Sequence, residues 1–270
     1  MALTALQRAV CRLLAAARRE SGESYVAGGV ALSVALNTAR LSRDLDLFHD
    51  TAEAVARSWD RDRATLERSD YAVRTLRERP GYVEAVVSQQ GQDLVVEWTR
   101  DSAFRFFPLV EDDDLGLTLH PFDLATNKVL ALVGRLEPRD WIDVIASHER
   151  LQPLAYLAWA ACGKDPGFTP LGILEQARRS SRYTDDEVSA LAFEGPPPSA
   201  ADLSRRWHQA LDTAGPIVET LPATNVGQAV LTADGHLFAG GVSELEHALG
   251  GDRIAFHEGR IGGAWPTVKR

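Results

Sequence analysis

Cysteine is scarce in this 270-residue chain: Cys11 and Cys162 stand alone, each in a segment that reads as helix. Neither has a second cysteine or a histidine at metal-ligand spacing, so no disulfide framework or zinc site is expected, and a reducing cytoplasm fits best. Lysine is rarer than arginine, with only Lys128, Lys164 and Lys269, so a lysine placed near carboxylates stands out. No uncharged run reaches the roughly 18 residues of a membrane span. Arg8, Arg12, Arg18 and Arg19 interrupt the apolar pattern at the N-terminus, so no signal-peptide core and no membrane partner are expected. The G-x-S-x-G, H-E-x-x-H and P-loop motifs are absent, and Gly28-Gly29 lacks the third glycine of a dinucleotide fingerprint. The histidines are scattered, and no internal repeat occurs.

What is present is an ordinary globular composition, 45% hydrophobic and 25% charged, with a formal charge of −9. That acidic balance disfavours a polyphosphate partner at long range, although a nucleic-acid enzyme needs only a local basic face. Helical periodicity covers residues 1–20 through Leu6, Val10, Leu13 and Leu14. Tyr25-Val26-Ala27, Gly28-Gly29 and an alanine-rich helix follow, then the alternating strand DLDLF and a helix from Thr51 to about Arg68, capped by Asp50 or Thr51. YAVRTL, YVEAVVSQQ and DLVVEWT read as strands, with a hairpin turn at Gln90-Gly91-Gln92. FRFF and LGLTLH are shorter candidate strands flanking the acidic loop Glu111 to Asp114. After Pro121 the chain reads as helical to about Leu221, broken at 163–170 and at Gly195-Pro196-Pro197-Pro198. Residues 226–270 are glycine-rich with short β-like pieces (QAVLTA, HLFAGG, RIAFHEG). The expected architecture is therefore α+β: a domain over residues 1–150, a helical domain over 151–225, and a small C-terminal module or arm over 226–270.

The chemistry concentrates in two runs. In GGVALSVALNTARLSRDLDLF, residues 28–48, Asp44 and Asp46 lie two apart on a strand and project from one face, where two like charges repel. A divalent cation such as Mg²⁺ removes that conflict, since it takes one or two carboxylates together with substrate phosphates. Gly28 and Gly29 precede a helix, where backbone N–H groups can approach a phosphate. Glu97, flanked by Val96 and Trp98, becomes a third carboxylate if its strand pairs beside DLDLF, and Glu84 competes for that place. In HPFDLATNKVLALVGRLEPRDWIDVIASHE, Lys128 lies off the apolar helix face, and Arg139, Asp140 and Asp143 open the next helix with both aspartates on one side. Lysine suits a triphosphate as a compact point charge. Each residue also has a plain structural alternative, a solvated strand end for the aspartates or a surface ion pair for Arg139. The helix after DLDLF carries Arg57, Arg61, Arg63 and Arg68 interleaved with acids, which reads as a solvated face.

Taken in order and spacing, the two runs resemble the nucleotidyltransferases of the DNA polymerase β-like superfamily, and within it the AbiEii/MenT-type toxins of type IV toxin–antitoxin systems. The likeness covers roughly residues 20–150. It implies a mixed β-sheet flanked by helices, with Asp44 and Asp46 binding Mg²⁺ (or Mn²⁺) and Glu97 as the third metal-binding, catalytic carboxylate. It also implies that Gly28, Gly29, Ser42 and Arg43 lie near the phosphates, that Lys128 and Arg139 contact the nucleotide, and that Asp143, rather than Asp140, assists catalysis. The implied activity is nucleotide transfer from an NTP to an acceptor hydroxyl with release of pyrophosphate, tRNA being the expected acceptor and an antitoxin protein the expected partner. Glu97 departs from the aspartate usual at that position, and residues 226–270 match nothing in the toxin pattern. Two other readings remain: a small-molecule nucleotidyltransferase acting on a cationic antibiotic, which the acidic balance favours, and a non-catalytic nucleotide-binding module of the same fold.

Overall fold

The computed structural model describes residues 3–267, so residues 268–270 of the C-terminal stretch lie outside the described residues. The chain divides into two compact units, one of residues 1–103, 108–120 and 192–195, the other of 104–107, 121–191 and 196–270.

The first unit contains α1 (Ala5–Ser21), β1 (Ser24–Val26), α2 (Gly28–Leu36), β2 (Arg40–Leu41), β3 (Asp44–His49), α3 (Ala52–Arg68), β4 (Ala72–Arg79), β5 (Tyr82–Gln89) and β6 (Gln92–Arg100). A seven-stranded mixed sheet runs in the order β4-β5-β6-β3-β1 and is completed by two later strands, Gly116–Thr118 and Val110–Asp112. Strand alternation divides the sheet into two faces. One face presents Leu45, Leu47, Val83, Ala85, Val87, Leu94, Val96 and Trp98, all buried. Against it pack α1 and α3, where Trp59 meets Trp98 edge-on at 4.8 Å and the Trp98 indole donates to Asp62 at 3.0 Å. Each helix starts where its sequence caps it. Thr4 and Gln7 form a reciprocal capping box on α1, and Thr51 accepts from the Ala54 N–H at the start of α3. The β5–β6 hairpin turns through Gln90 and Gly91, both at positive φ (52° and 76°), the pairing that suits the strand twist. The other face, less covered, carries Asp44, Asp46, Glu84 and Glu97.

The second unit begins with β7 (Phe104–Arg105), which follows β6 in chain order. Next in the chain come β8 (Val110–Asp112) and β9 (Gly116–Thr118), the two strands that complete the first unit's sheet. The second unit resumes with α4 (Pro121–Arg135), α5 (Pro138–Arg150), α6 (Leu154–Ala161), α7 (Pro170–Ala177) and α8 (Asp185–Ser189). Then β10 (Ala192–Phe193) returns to pair with β2 in the first unit's own residues, and α9 (Ala200–Thr220), β11 (Ala229–Thr232), α10 (Val242–Gly250), β12 (Ile254–His257) and β13 (Arg260–Ile261) complete the second. Helix α6 is buried on every side, packed among α4, α7, α9 and β11. Asp123 ties the unit's first segment down: its carboxylate accepts from the N–H groups of Phe106 (2.9 Å) and Phe107 (3.0 Å) and pairs with Lys164 at 2.8 Å.

Several local expectations change. Residues 121–150 pack with the second unit, because α4 and α5 bury their apolar faces against α6, α7 and α9; the expected division at 150 and again at 225 differs from the two units observed. The stretch after 226 joins that unit and contains a helix, α10, which Glu244 caps by accepting from the Gly241 N–H at 2.8 Å. HLFAGG forms no strand beyond an isolated bridge at Leu237, and the acidic loop is partly the strand β8. The strand expected over FRFF is limited to Phe104–Arg105, paired with β13.

Candidate active site

The site grows from the turn between β1 and α2. Val26 pairs antiparallel with Leu47, and the Ala27 N–H donates to the Asp46 carbonyl at 3.0 Å, so the chain enters α2 directly beside Asp46. Gly28 has φ +64°, and a Cβ there would lie 1.7 Å from Asp46 Oδ2. Only glycine lets the backbone come this close. A Cβ on Gly29 would meet Arg40 Nη2 at 2.6 Å and Ser42 Oγ at 2.9 Å. Ala27, the N-cap, has no side chain that could bond to the first turn, and a helix N-terminus is a place that suits a phosphate. Arg40 itself is buried, while Arg43, between Ser42 and Asp44, is exposed.

The carboxylates form a row across neighbouring strands. Asp44 and Asp46 share a face of β3; Asp46 is directly opposite Glu97 on parallel β6, and Glu97 is opposite Glu84 on antiparallel β5. The condition set on Glu97 by its sequence, a place beside DLDLF, is met. Its carboxyl is pushed above the ordinary range, first by burial and then by the charges of Asp46, Glu84 and Asp44, while a hydrogen bond from Tyr82 opposes the shift. Among the described residues, no three His, Cys, Asp or Glu side chains form a ready-made metal site. The donor set of Asp44, Asp46 and Glu97 is nevertheless all hard oxygen, beside a glycine cradle, and these residues could hold Mg²⁺ or Mn²⁺.

Lys128, Arg139 and Asp143 belong to the second unit. Lys128 is buried, its Nζ 3.0 Å from Asp140 Oδ1 and 2.9 Å from Asp143 Oδ2. Arg135 also binds Asp140, at 2.6 and 3.0 Å. Burial alone would raise the Asp140 carboxyl, but hydrogen bonding from Arg135 and the charge of Lys128 outweigh it and hold it below the usual range. Arg139 is half-exposed and pairs with Glu137 at 2.6 Å. Two residues that sequence reasoning passed over stand in the first unit's site: Arg40, against Gly29, and Tyr82, bonded to Glu97. Arg40 lies two residues before Ser42 and Tyr82 two before Glu84, so strand alternation could have found both.

The sequence matches the family model described as "Nucleotidyl transferase AbiEii toxin, Type IV TA system" over residues 12–212. No protein of curated function matches it significantly. Among solved structures, JHP933 from Helicobacter pylori is similar at 16% identity and a TM-score of 0.54, covering 79% of this chain and 90% of that one. The nucleotidyltransferase toxin MenT4 from Mycobacterium tuberculosis is similar at 15% identity and a TM-score of 0.53, covering 81% and 85%. At these identities the structural likeness is one of fold.

Proposed function

This chain belongs to the AbiEii family of type IV toxin nucleotidyltransferases, and we propose that it transfers a nucleotide from an NTP to the terminal hydroxyl of a tRNA, releasing pyrophosphate in a reaction that depends on Mg²⁺ or Mn²⁺. The observation that carries this reading is the contact of Gly28 with Asp46, in a row that continues to Glu97. A divalent cation held by Asp44, Asp46 and Glu97 would neutralise triphosphate charge and draw the acceptor oxygen toward the α-phosphorus. The leading N–H groups of α2, with Ser42 Oγ and the Arg40 and Arg43 guanidinium groups, bind phosphate oxygens. Glu97 would complete that carboxylate set, and beside the cation the acceptor hydroxyl would have a lowered pKa, so that its proton leaves as the new bond forms. The acceptor oxygen bonds to the α-phosphorus, the bond to the bridging oxygen breaks, and pyrophosphate leaves with its charge offset by these donors. The family pattern gives Lys128 and Arg139 to the incoming nucleotide and Asp143 to catalysis; the two carboxylates on Lys128 fix its ammonium as a positioned point charge.

The test incubates the protein with each labelled NTP, Mg²⁺ or Mn²⁺, and total tRNA, with Asp46→Ala as control. Label on RNA in the wild type alone is the expected result. Absence of label with every NTP would sink the reading. Label on a cationic antibiotic and not on RNA would change the acceptor to a small molecule. The buried free thiols of Cys11 and Cys162 fit a reducing cytoplasm, where an antitoxin partner would restrain the activity. No helix among the described residues is long and apolar enough to cross a membrane.

A further inference from the structure

Strand β4 is the edge of the sheet, hydrogen-bonded to β5 alone in the strand order. On a regular strand Arg74 and Arg77, an odd number of residues apart, would face opposite sides. The ladder instead slips between Thr75 and Arg77, so that Arg74 stands opposite Val86, Arg77 opposite Glu84 and Arg79 opposite Tyr82. Those three β5 positions are two apart and share one face, the face on which Glu84 adjoins Glu97 and Glu97 adjoins Asp46. The slip therefore aligns three exposed arginines with the carboxylate row. Side-chain contacts agree: Arg77 Nε lies 3.4 Å from Glu84 Oε2, and the Arg79 guanidinium lies 4.8 Å from the Tyr82 ring centre. Glu78, opposite Val83, is turned to the other face, where it feels the charge of Arg63 on α3.

Charge on an edge strand can serve simply to prevent edge-to-edge pairing. That purpose needs no preferred face, whereas here the arginines gather on one face and the acid is sent to the other. In a chain of net charge −9, this puts a local basic track at the end of the acidic row. We infer that β4 and Tyr82 dock the single-stranded end of an acceptor RNA, with its sugar-phosphate backbone on Arg74 and Arg77 and a base on the planar stack of Arg79 and Tyr82. The inference rests on the nucleotidyl-transfer reading above for what the docked chain is for. A cationic small molecule gains nothing from three arginines. An acidic polypeptide would use the cations but not the stack, which the Tyr82–Glu97 hydrogen bond joins to the carboxylate row. A polynucleotide uses both, because every base has a π-face and every linkage a phosphate.

The test is a fluorescence-anisotropy titration of the full chain against a labelled single-stranded oligoribonucleotide, without NTP, across a range of salt. It compares wild type, the triple variant Arg74→Gln/Arg77→Gln/Arg79→Gln, and the triple Arg→Lys variant at the same positions. Loss of the two phosphate contacts of Arg74 and Arg77 lowers the slope of log K against log salt by about 1.4, and loss of the Arg79 stack with them weakens low-salt binding by about tenfold. The lysine variant keeps the wild-type slope. In the transfer assay the glutamine variant raises KM for RNA and leaves kcat and NTP affinity unchanged. An unchanged slope in the glutamine variant overturns the inference, as does equal loss in the lysine variant or wild-type binding that ignores salt. So does loss of poly-glutamate binding in the glutamine variant with RNA affinity intact, which would make β4 a protein dock. Because the titration contains no NTP, salt-dependent binding through β4 with no transfer to any acceptor would support the surface and count against the transfer reading alone.

Discussion

An alanine at position 28 would place its Cβ 1.7 Å from Asp46 Oδ2, at a φ of +64° that L-residues disfavour by roughly 1–2 kcal/mol. The expected result of Gly28→Ala is a folded protein with Asp46 displaced, and a displacement near an ångström costs transfer about 100-fold. Circular dichroism and single-turnover transfer check the two halves; wild-type rates would separate Gly28 from the chemistry. His49, at the end of the same strand on its buried face, is fully buried, and burial first of all pushes its pKa down to about 4. The unfolded chain takes up this proton near pH 6.5 and the folded chain only near 4, so the stabilisation is complete above about 6.5 and is lost as pH falls through that window. The loss is on the order of 3 kcal/mol. Urea titrations at several pH values check it, and His49→Leu should flatten the dependence.

At the scale of elements, α4 and α5 are joined by a buried ion cluster. Lys128→Met would leave Asp143 without its 2.9 Å ammonium and Asp140 with Arg135 as its remaining ion-pair partner. Removing one member of a buried ion pair costs about 3–5 kcal/mol. The urea midpoint should therefore drop sharply at an unchanged m-value, and a lost activity can be ascribed to nucleotide contact only at a temperature where the variant is folded. A midpoint equal to wild type would mean that Lys128 serves the substrate and not the helix pair. The strands show the complementary principle. The Thr51 cap is local and was legible from residue types, as was the Gln90-Gly91 turn, whereas the Thr4–Gln7 box lies inside the run that periodicity reads as helix from residue 1. The slip at Leu76 was not, since nothing in YAVRTL marks an extra residue; it exists because β4 must keep register with β5 on both sides of it.

For the molecule as a whole, ligand linkage gives a test that needs no acceptor. A nucleotide and Mg²⁺ that bind the folded protein at about 100 times their Kd add about 2.7 kcal/mol. In a chain of this size that raises Tm by about 5–10 °C. The shift should require both the NTP and the divalent ion, and Asp46→Ala should abolish it. A shift produced equally by NTP without the ion would remove Asp44, Asp46 and Glu97 from metal binding.

The sequence by itself determined the alternation that sets Asp44 and Asp46 on one face, the glycines that a close backbone approach requires, the helix caps, and the order of motifs by which the family is known. These are consequences of one to a few neighbouring residues, or of spacing along the chain. Only the tertiary structure decided which carboxylate adjoins Asp46, because the pairing of β3 with β6 joins segments some fifty residues apart, Asp46 opposite Glu97. It also decided that α4 and α5 belong with α6, α7 and α9, since an apolar helix face specifies burial without naming its cover. The placement of Arg40 against Gly29 and of three arginines on the carboxylate face follows from strand register, which is fixed by the packing of the sheet and not by any single segment within it.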